Sequence, residues 1–288
     1  MAIRVTVQDV PPFEAAAIRF FLAALLLVFV AAVQRRKWPN DRQQWKALMV
    51  LSLTMMAVPY GLLFWAEQYV TSSMTAVMFS AMPLLVALLT PLMGHRAVAR
   101  RSVFAMVVAF GGLLVLLYES FNTSPRALLG DSAILLAVLL SSWSVVYAKD
   151  RLHDVDSVVA TGLQLLFGSV ALGWATWSME SHRHAVWSRP AVLAMVFLTL
   201  FGSCAAFVIY YWLLKKMQPY QLSTTSLIVP VVAVLEGAFL YGESVPLLMV
   251  AAVCVILGAV GSVLLARNEP EITGDEQGRV LMVEGPGK

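Results

Sequence analysis

The sequence predicts an all-α polytopic membrane protein made of two inverted five-helix repeats, with nine full transmembrane helices and the stub of a first. Three observations predict it. Apolar residues come in blocks of about 17–25, the length that crosses a hydrocarbon core as a helix. Lys and Arg crowd into alternate loops. Landmark residues recur at one constant offset, the mark of an internal repeat. Composition agrees: 60% of residues are hydrophobic and 13% charged, and the mean hydropathy is +0.79. A membrane barrel would show alternating segments of about ten residues instead.

In chain order the spans are 12–33, 47–66, 71–93, 102–118, 128–148, 158–178, 190–214, 220–241 and 246–266. The polar, mixed-charge NEPEITGDEQGR that follows has no apolar periodicity and reads as a disordered tail, 268–288. No apolar leader with a small-residue cleavage site precedes the first span. Both cysteines, Cys204 and Cys254, sit inside apolar blocks and read as buried thiols rather than a disulfide framework. One set of alternate loops carries thirteen Lys and Arg, the other four. The basic set faces the cytoplasm, so the C-terminus is expected inside and the location is a cell membrane. The basic residues form short loop clusters of the orientation type, so nucleic acid is not an expected partner.

Self-comparison pairs FWAEQYVTSSMTAVMFSAMPLLVALL with YWLLKKMQPYQLSTTSLIVPVVAVLE. Trp65 and Trp212, Pro83 and Pro230, and Gly111 and Gly258 are each 147 apart. Upstream, DVPPFEAAAIRFFLAALLL resembles DVDSVVATGLQLLFGSVAL at an offset of 145, which sets Arg19 opposite Gln164. The same offset sets Met1 opposite Val146, so AIRVTVQDV reads as the extracellular end of a first helix lacking its body. With that helix restored each half has five spans. An odd number makes the second repeat enter from the opposite side, the inverted architecture of many secondary transporters, with the substrate site at the repeat interface. The expected units are 1–121, 122–267 and the cytoplasmic tail.

These residues resemble the EamA type of the drug/metabolite transporter superfamily. The matching stretches are PPFEAAAIRFFLAALLL, YGLLFWAEQYVTSSMTAVMFSAMPLL, LQLLFG, YYWLLKKMQPYQLSTTSLIVPVVAVLEGAFLYGE and the closing spans around Gly111 and Gly258. The resemblance implies ten helices in two inverted halves, both termini cytoplasmic, and movement of small metabolites, often export of amino acids or related compounds. Two features depart from it: the shortened first helix, and His95 where the second half has Glu243.

The candidates for a substrate pathway follow from polar, aromatic and helix-breaking residues at membrane depth. Arg19 lies about seven residues into a span, where a charge faces a cavity or partner or else snorkels to the headgroups. Glu236 is a carboxylate in an apolar block, either a proton carrier lining the path or a group reaching outer water. Glu67 and Glu119 lie at span ends and are expected to be solvated. Pro83 and Pro230 are mid-span and predict paired kinks beside the site. Gln164 needs a hydrogen-bonding partner or water. Tyr60, Trp65, Trp143 within SSWS, Tyr147, Tyr211 and Trp212 are either pathway aromatics or interfacial belt residues. Gly111, Gly112, Gly258 and Gly261 are expected to permit close helix packing.

His182 and His184 lack a placed third ligand and make no metal site. No cofactor and no catalytic residue is predicted: there is no HExxH, no pair of intramembrane aspartates and no GxxxxGK[ST] loop. The expected partners are a small-molecule substrate, the lipid bilayer and protons as coupling ion; the sequence names no oligomeric state. The leading function is a secondary transporter exporting small metabolites such as amino acids or drugs by alternating access. The alternatives are a nucleotide-sugar or other metabolite exchanger or uptake permease of the same superfamily, and a non-transporting scaffold.

Overall fold

The computed structural model describes residues 2–70, 72–95, 97–116, 125–180, 182, 185–229, 231–232 and 247–265. They form α1 (Ala2–Asp9), α2 (Pro12–Val33), α3 (Arg42–Ala66), α4 (Ser72–Phe79), α5 (Met82–Leu92), α6 (Arg100–Leu116), α7 (Pro125–Arg151), α8 (Ser157–Met179), α9 (Arg189–Lys216), α10 (Pro219–Ser223) and α11 (Leu247–Leu264). Residues 225–229 are also helical. Five of these helices are long and apolar enough to cross a membrane, and Met82–Leu92 and Val250–Leu264 are shorter apolar pieces. The helix bounds follow the predicted spans to within a few residues up to α9. The eighth span, the tail and Glu119, Pro230 and Glu236 lie partly or wholly outside the described residues.

The pair α2/α8 forms the centre. α2 buries Ala15, Ala16, Ala17, Ala23, Ala24 and Ala31, a seam of small residues that lets backbones approach. A Cβ on Gly162 of α8 would lie 3.3 Å from the Leu27 Cβ and 3.4 Å from the Val28 N. The two helices run antiparallel, and each end is tied. Glu180, just past α8, accepts the N–H groups of Phe13 (3.2 Å) and Glu14 (3.0 Å) in the first turn of α2. At the other end Asp156 accepts the Val158 N–H (2.9 Å) and Val159 N–H (3.3 Å) as N-cap of α8, and pairs with Arg36 (2.9 Å) just past α2. A carboxylate at a helix N-terminus satisfies orphan donors and complements the helix dipole.

The second equivalent pair, α6/α11, is antiparallel as well. Gly112 rests on Ile256, Ala252 and Val255, while Met106 clusters with Val263. Two helices that occupy equivalent places in the two sequence repeats can lie antiparallel only if the repeats are inverted. The outer surface is apolar as a bilayer requires: Phe21, Leu22, Leu25 and Phe29 of α2, and Leu193, Val196, Phe197 and Phe201 of α9, are exposed.

Two features differ from expectation in backbone register. α3 contains a π segment at Ser52–Ala57 and α9 one at Leu198–Ala205. At the repeat offset of 147 they coincide. In α3 the cause is Pro59, which has no N–H and crowds the carbonyl four residues earlier. α9 has Ala206 at the matching position, and its π segment is instead held from outside, as described below.

Four other expectations are corrected. The third span is not kinked at Pro83. It is interrupted at Ser80–Ala81, and Pro83 falls in the first turn of α5, where its missing N–H costs nothing. Gly111, Gly258 and Gly261 face open space, so of the four glycines only Gly112 serves close packing. Glu67 is buried at 8% exposure rather than solvated. Cys204 is buried but Cys254 is exposed on the apolar surface.

Candidate functional site

Arg19 is 3% exposed, about two turns inside α2. It does not snorkel. Its Nε–H donates to Ser203 Oγ (2.7 Å) and its Nη2 to the Gly202 carbonyl (2.9 Å), both in the π segment of α9. Glycine gives the Gly202 contact room: a Cβ there would lie 3.1 Å from Nη2, closer than ordinary van der Waals contact. The guanidinium also sits 5.5 Å from the Phe20 and Tyr60 ring centres and 6.0 Å from that of Phe64. Aromatic faces offset part of the cost of a desolvated cation. Nη1 is buried with no hydrogen-bond partner. Among the described residues no carboxylate forms an ion pair with it.

Gln164 is fully buried in α8. Its Oε1 accepts the Tyr211 hydroxyl (2.6 Å), and that hydroxyl also meets Met55 Sδ (3.1 Å) in the π segment of α3. Gln164 Nε2, like Arg19 Nη1, has no partner. The two arrangements are counterparts. Arg19 matches Gln164 at the offset of 145, while Phe64 matches Tyr211 and Met55 matches Gly202 at 147. Arg19 reaches the π segment of the other half directly, whereas Gln164 holds Tyr211 of its own half, whose hydroxyl meets the π segment of α3.

Between them lie Phe20, Tyr60 and Phe207, with ring centres 5.1–6.3 Å apart in edge-to-face contacts. Tyr210 meets Tyr211 edge-on, with ring centres 5.9 Å apart, and the Tyr210 hydroxyl is another buried group with no partner among the described residues. The structure thus brings Arg19, Tyr60, Gln164 and Tyr211 into one central region.

The other candidates lie elsewhere. Trp143 stacks on Tyr147 (4.9 Å, 14° between planes) along α7, and Arg151 lies 5.8 Å from the Tyr147 ring, one turn further on. Their neighbour Ser144 donates to Thr54 (2.8 Å), so α7 also touches the π segment of α3. Trp65 packs on Tyr69 at the end of α3. Trp212 is half exposed with Lys216 Nζ 3.6 Å over its ring, a position on the outer wall of the bundle. Pro83 is buried in α5, and Ser80, just before that helix, donates to the Ser226 carbonyl (3.0 Å) and so joins the two halves. Pro230 and Glu236 lie outside the described residues. Among the described residues no three His, Cys, Asp or Glu side chains gather as a metal site.

Ser203, Gly202, Met55, Phe20, Phe207 and Glu180 were not singled out from the sequence. One signal was present: carrying the offset of 147 onto Met55 leads to Gly202, in the π segment of α9.

Antiparallel halves that reach into one another through polar side chains at membrane depth are a transporter's architecture, and the family comparison agrees. The description of the EamA-like transporter family matches residues 1–118 and 128–265. The chain belongs to that family. Among EamA-like relatives, an uncharacterised transporter, YoaV, of Bacillus subtilis (strain 168) is 27% identical over 262 residues, covering 90% of this chain and 87% of its own. Protein PagO of Salmonella typhimurium is 25% identical over 271 residues, covering 94% and 89%. An uncharacterised inner membrane transporter, YedA, of Escherichia coli (strain K12) is 28% identical over 266 residues, covering 92% and 85%. A solved crystal structure 20% identical in sequence superposes with a TM-score of 0.73 over 93% of each chain, which shows a shared fold. The protein is thus a multi-pass membrane transporter of EamA type.

Proposed function

We propose that this EamA-like protein is a secondary transporter that moves small metabolites, such as amino acids or drugs, out of the cell by alternating access. The observation that carries the reading is the reciprocal reach of Arg19 to Gly202 and Ser203, and of Tyr211, held by Gln164, to Met55. A charge and an amide at membrane depth are costly unless they serve a path. Here Arg19 ends on the π segment of α9, and Gln164 holds the Tyr211 hydroxyl that meets the π segment of α3; such helix irregularities recur at functional sites. The α2/α8 pair, tied at both ends by Glu180 and Asp156, acts as the fixed axle. α3 and α9, each interrupted by its π segment, are the elements that rearrange around it.

The substrate path runs past Tyr60, Phe20 and Phe207 at the centre, with Trp143 and Tyr147 on the α7 wall. The basic loops face the cytoplasm in a cell membrane, and the C-terminus is inside. Protons are the coupling ion, carried by Glu236.

The test is flux in proteoliposomes holding the full chain, with a panel of labelled amino acids, nucleosides and drugs. Saturable, protein-dependent flux of any member supports the reading, and its absence across the panel extended with apolar carboxylic acids such as phenylacetate overturns it. For the coupling ion, Glu236→Gln abolishes the pH dependence of flux. Unchanged pH dependence removes Glu236 from that role.

A further inference from the structure

We infer that Arg19 is the carboxylate-binding group of the central site, and that the preferred ligand is a monoanion with an apolar body and no ammonium group. The inference rests on the reading of this region as the substrate path. It starts from the donors that remain. Of the guanidinium's nitrogens, Nε and Nη2 are committed to Ser203 Oγ and the Gly202 carbonyl, which fixes the plane of the group. Nη1 is buried and has no partner among the described residues. The position has no described carboxylate to neutralise it. A buried guanidinium held this rigidly, with one edge unsatisfied, is complementary to an acceptor that carries negative charge.

The number of positive charges argues for one negative charge on the ligand. Arg19 is the one described Lys or Arg that is fully buried. A phosphate dianion would bring a second charge with nothing described to meet it. The body of the ligand is set by the surroundings: Phe20, Tyr60 and Phe64 around the guanidinium, with Phe207 beyond. An ammonium group is disfavoured beside a guanidinium by like-charge repulsion in a low-dielectric site. The counterpart position in the other half is Gln164, whose unpartnered Nε2 is again a donor but uncharged. The charge asymmetry between two otherwise matched positions gives the anion one preferred level in the membrane.

The experiment is equilibrium binding to the purified full chain in nanodiscs. The probes are phenylacetate, phenylacetamide, phenethylamine and phenyl phosphate, which share a ring and differ in charge. In the unmodified protein phenylacetate binds about tenfold tighter than phenylacetamide, the size of one charge-assisted hydrogen bond. Phenyl phosphate and phenethylamine bind more weakly than phenylacetate. Arg19→Gln removes the preference for acid over amide, and Arg19→Lys, which keeps the charge but not the fork, restores part of it. Equal binding of acid and amide overturns the inference, as does a preference that survives Arg19→Gln or no saturable binding by any probe. The unmodified protein decides the first and third of these outcomes even if both variants fold poorly. Protein-dependent flux of an uncharged or cationic substrate that is unaffected by Arg19→Gln would overturn the carboxylate assignment and leave the transporter reading standing.

Discussion

Arg19 Nε lies 2.7 Å from Ser203 Oγ, across the interface between two halves of the chain and 184 residues away in sequence. Arg19 belongs to α2, the second helix of the first repeat. Ser203 belongs to the π segment of the second. This bond and the one from Nη2 to the Gly202 carbonyl together fix the guanidinium and satisfy a backbone acceptor of the irregular segment. Ser203→Ala removes one acceptor from a buried charge. Buried interhelical hydrogen bonds in membranes contribute about 0.6–1.7 kcal/mol, and this one, being charge-assisted, is expected near the upper end. Thermal unfolding in detergent measures it. A loss near zero would mean that the Gly202 carbonyl alone holds Arg19.

Gly202→Ala places a Cβ 3.1 Å from Arg19 Nη2. The guanidinium must give by a few tenths of an ångström or the π segment must move, and either disturbs the hydrogen bonds that hold Nε and Nη2. The expected outcome is a loss of flux larger than the loss from Ser203→Ala, with comparable stability. Side-by-side flux and unfolding measurements separate the two effects. Equal flux in Gly202→Ala and unmodified protein contradicts a functional role for this contact.

The Tyr211–Gln164 bond gives a double-mutant cycle. Tyr211→Phe leaves Gln164 Oε1 buried and unpaired and destabilises the protein. Gln164→Leu does the same to the tyrosine hydroxyl, which keeps only its contact with Met55 Sδ. The double variant Gln164→Leu with Tyr211→Phe has neither orphan and is expected to recover stability relative to the singles, since replacing both partners is milder than removing one. Additive losses would show that the pair is not coupled.

The two ends of the α2/α8 pair predict matched effects. Asp156→Ala removes the N-cap of α8 and the Arg36 ion pair. Most of its cost, about 1 kcal/mol, comes from the cap, since the ion pair is partly exposed and adds little. Glu180→Ala removes two acceptors from the first turn of α2 and costs at least as much, because Glu180 is only 5% exposed. Chemical denaturation in mixed micelles compares them. A cost for Asp156→Ala well above that for Glu180→Ala would contradict the account.

Sidedness is tested by cysteine labelling in a background where Cys204 and Cys254 are alanine. His182 and Lys37 are both exposed, in loops at opposite ends of the bundle. A membrane-impermeant maleimide added to whole cells labels His182→Cys and not Lys37→Cys. The reverse pattern places the C-terminus outside.

The helix bounds could be read from the sequence because the length of an apolar block is a property of one segment. Inversion could also be read, since the constant offset between Trp65 and Trp212 combines with an odd number of spans. The π segments could not. Ser52–Ala57 and Leu198–Ala205 differ from α-helix by one residue of hydrogen-bond register, which leaves hydrophobic composition unchanged. Nor could the facing of adjacent aromatics: Tyr211 points inward to Gln164 while Trp212, one residue and about 100° further round the helix, faces outward under Lys216. The role of Arg19 depended on Ser203 and Gly202, residues with no mark in sequence except their place in the repeat.

The most direct test of the central claim is counterflow in proteoliposomes containing the full chain, loaded inside with unlabelled phenylacetate and supplied outside with the labelled compound. The alternating-access account predicts transient, saturable accumulation of label above its outside concentration, dependent on protein and lost in Arg19→Gln. Entry that stays linear with concentration and is not stimulated by internal substrate would contradict it.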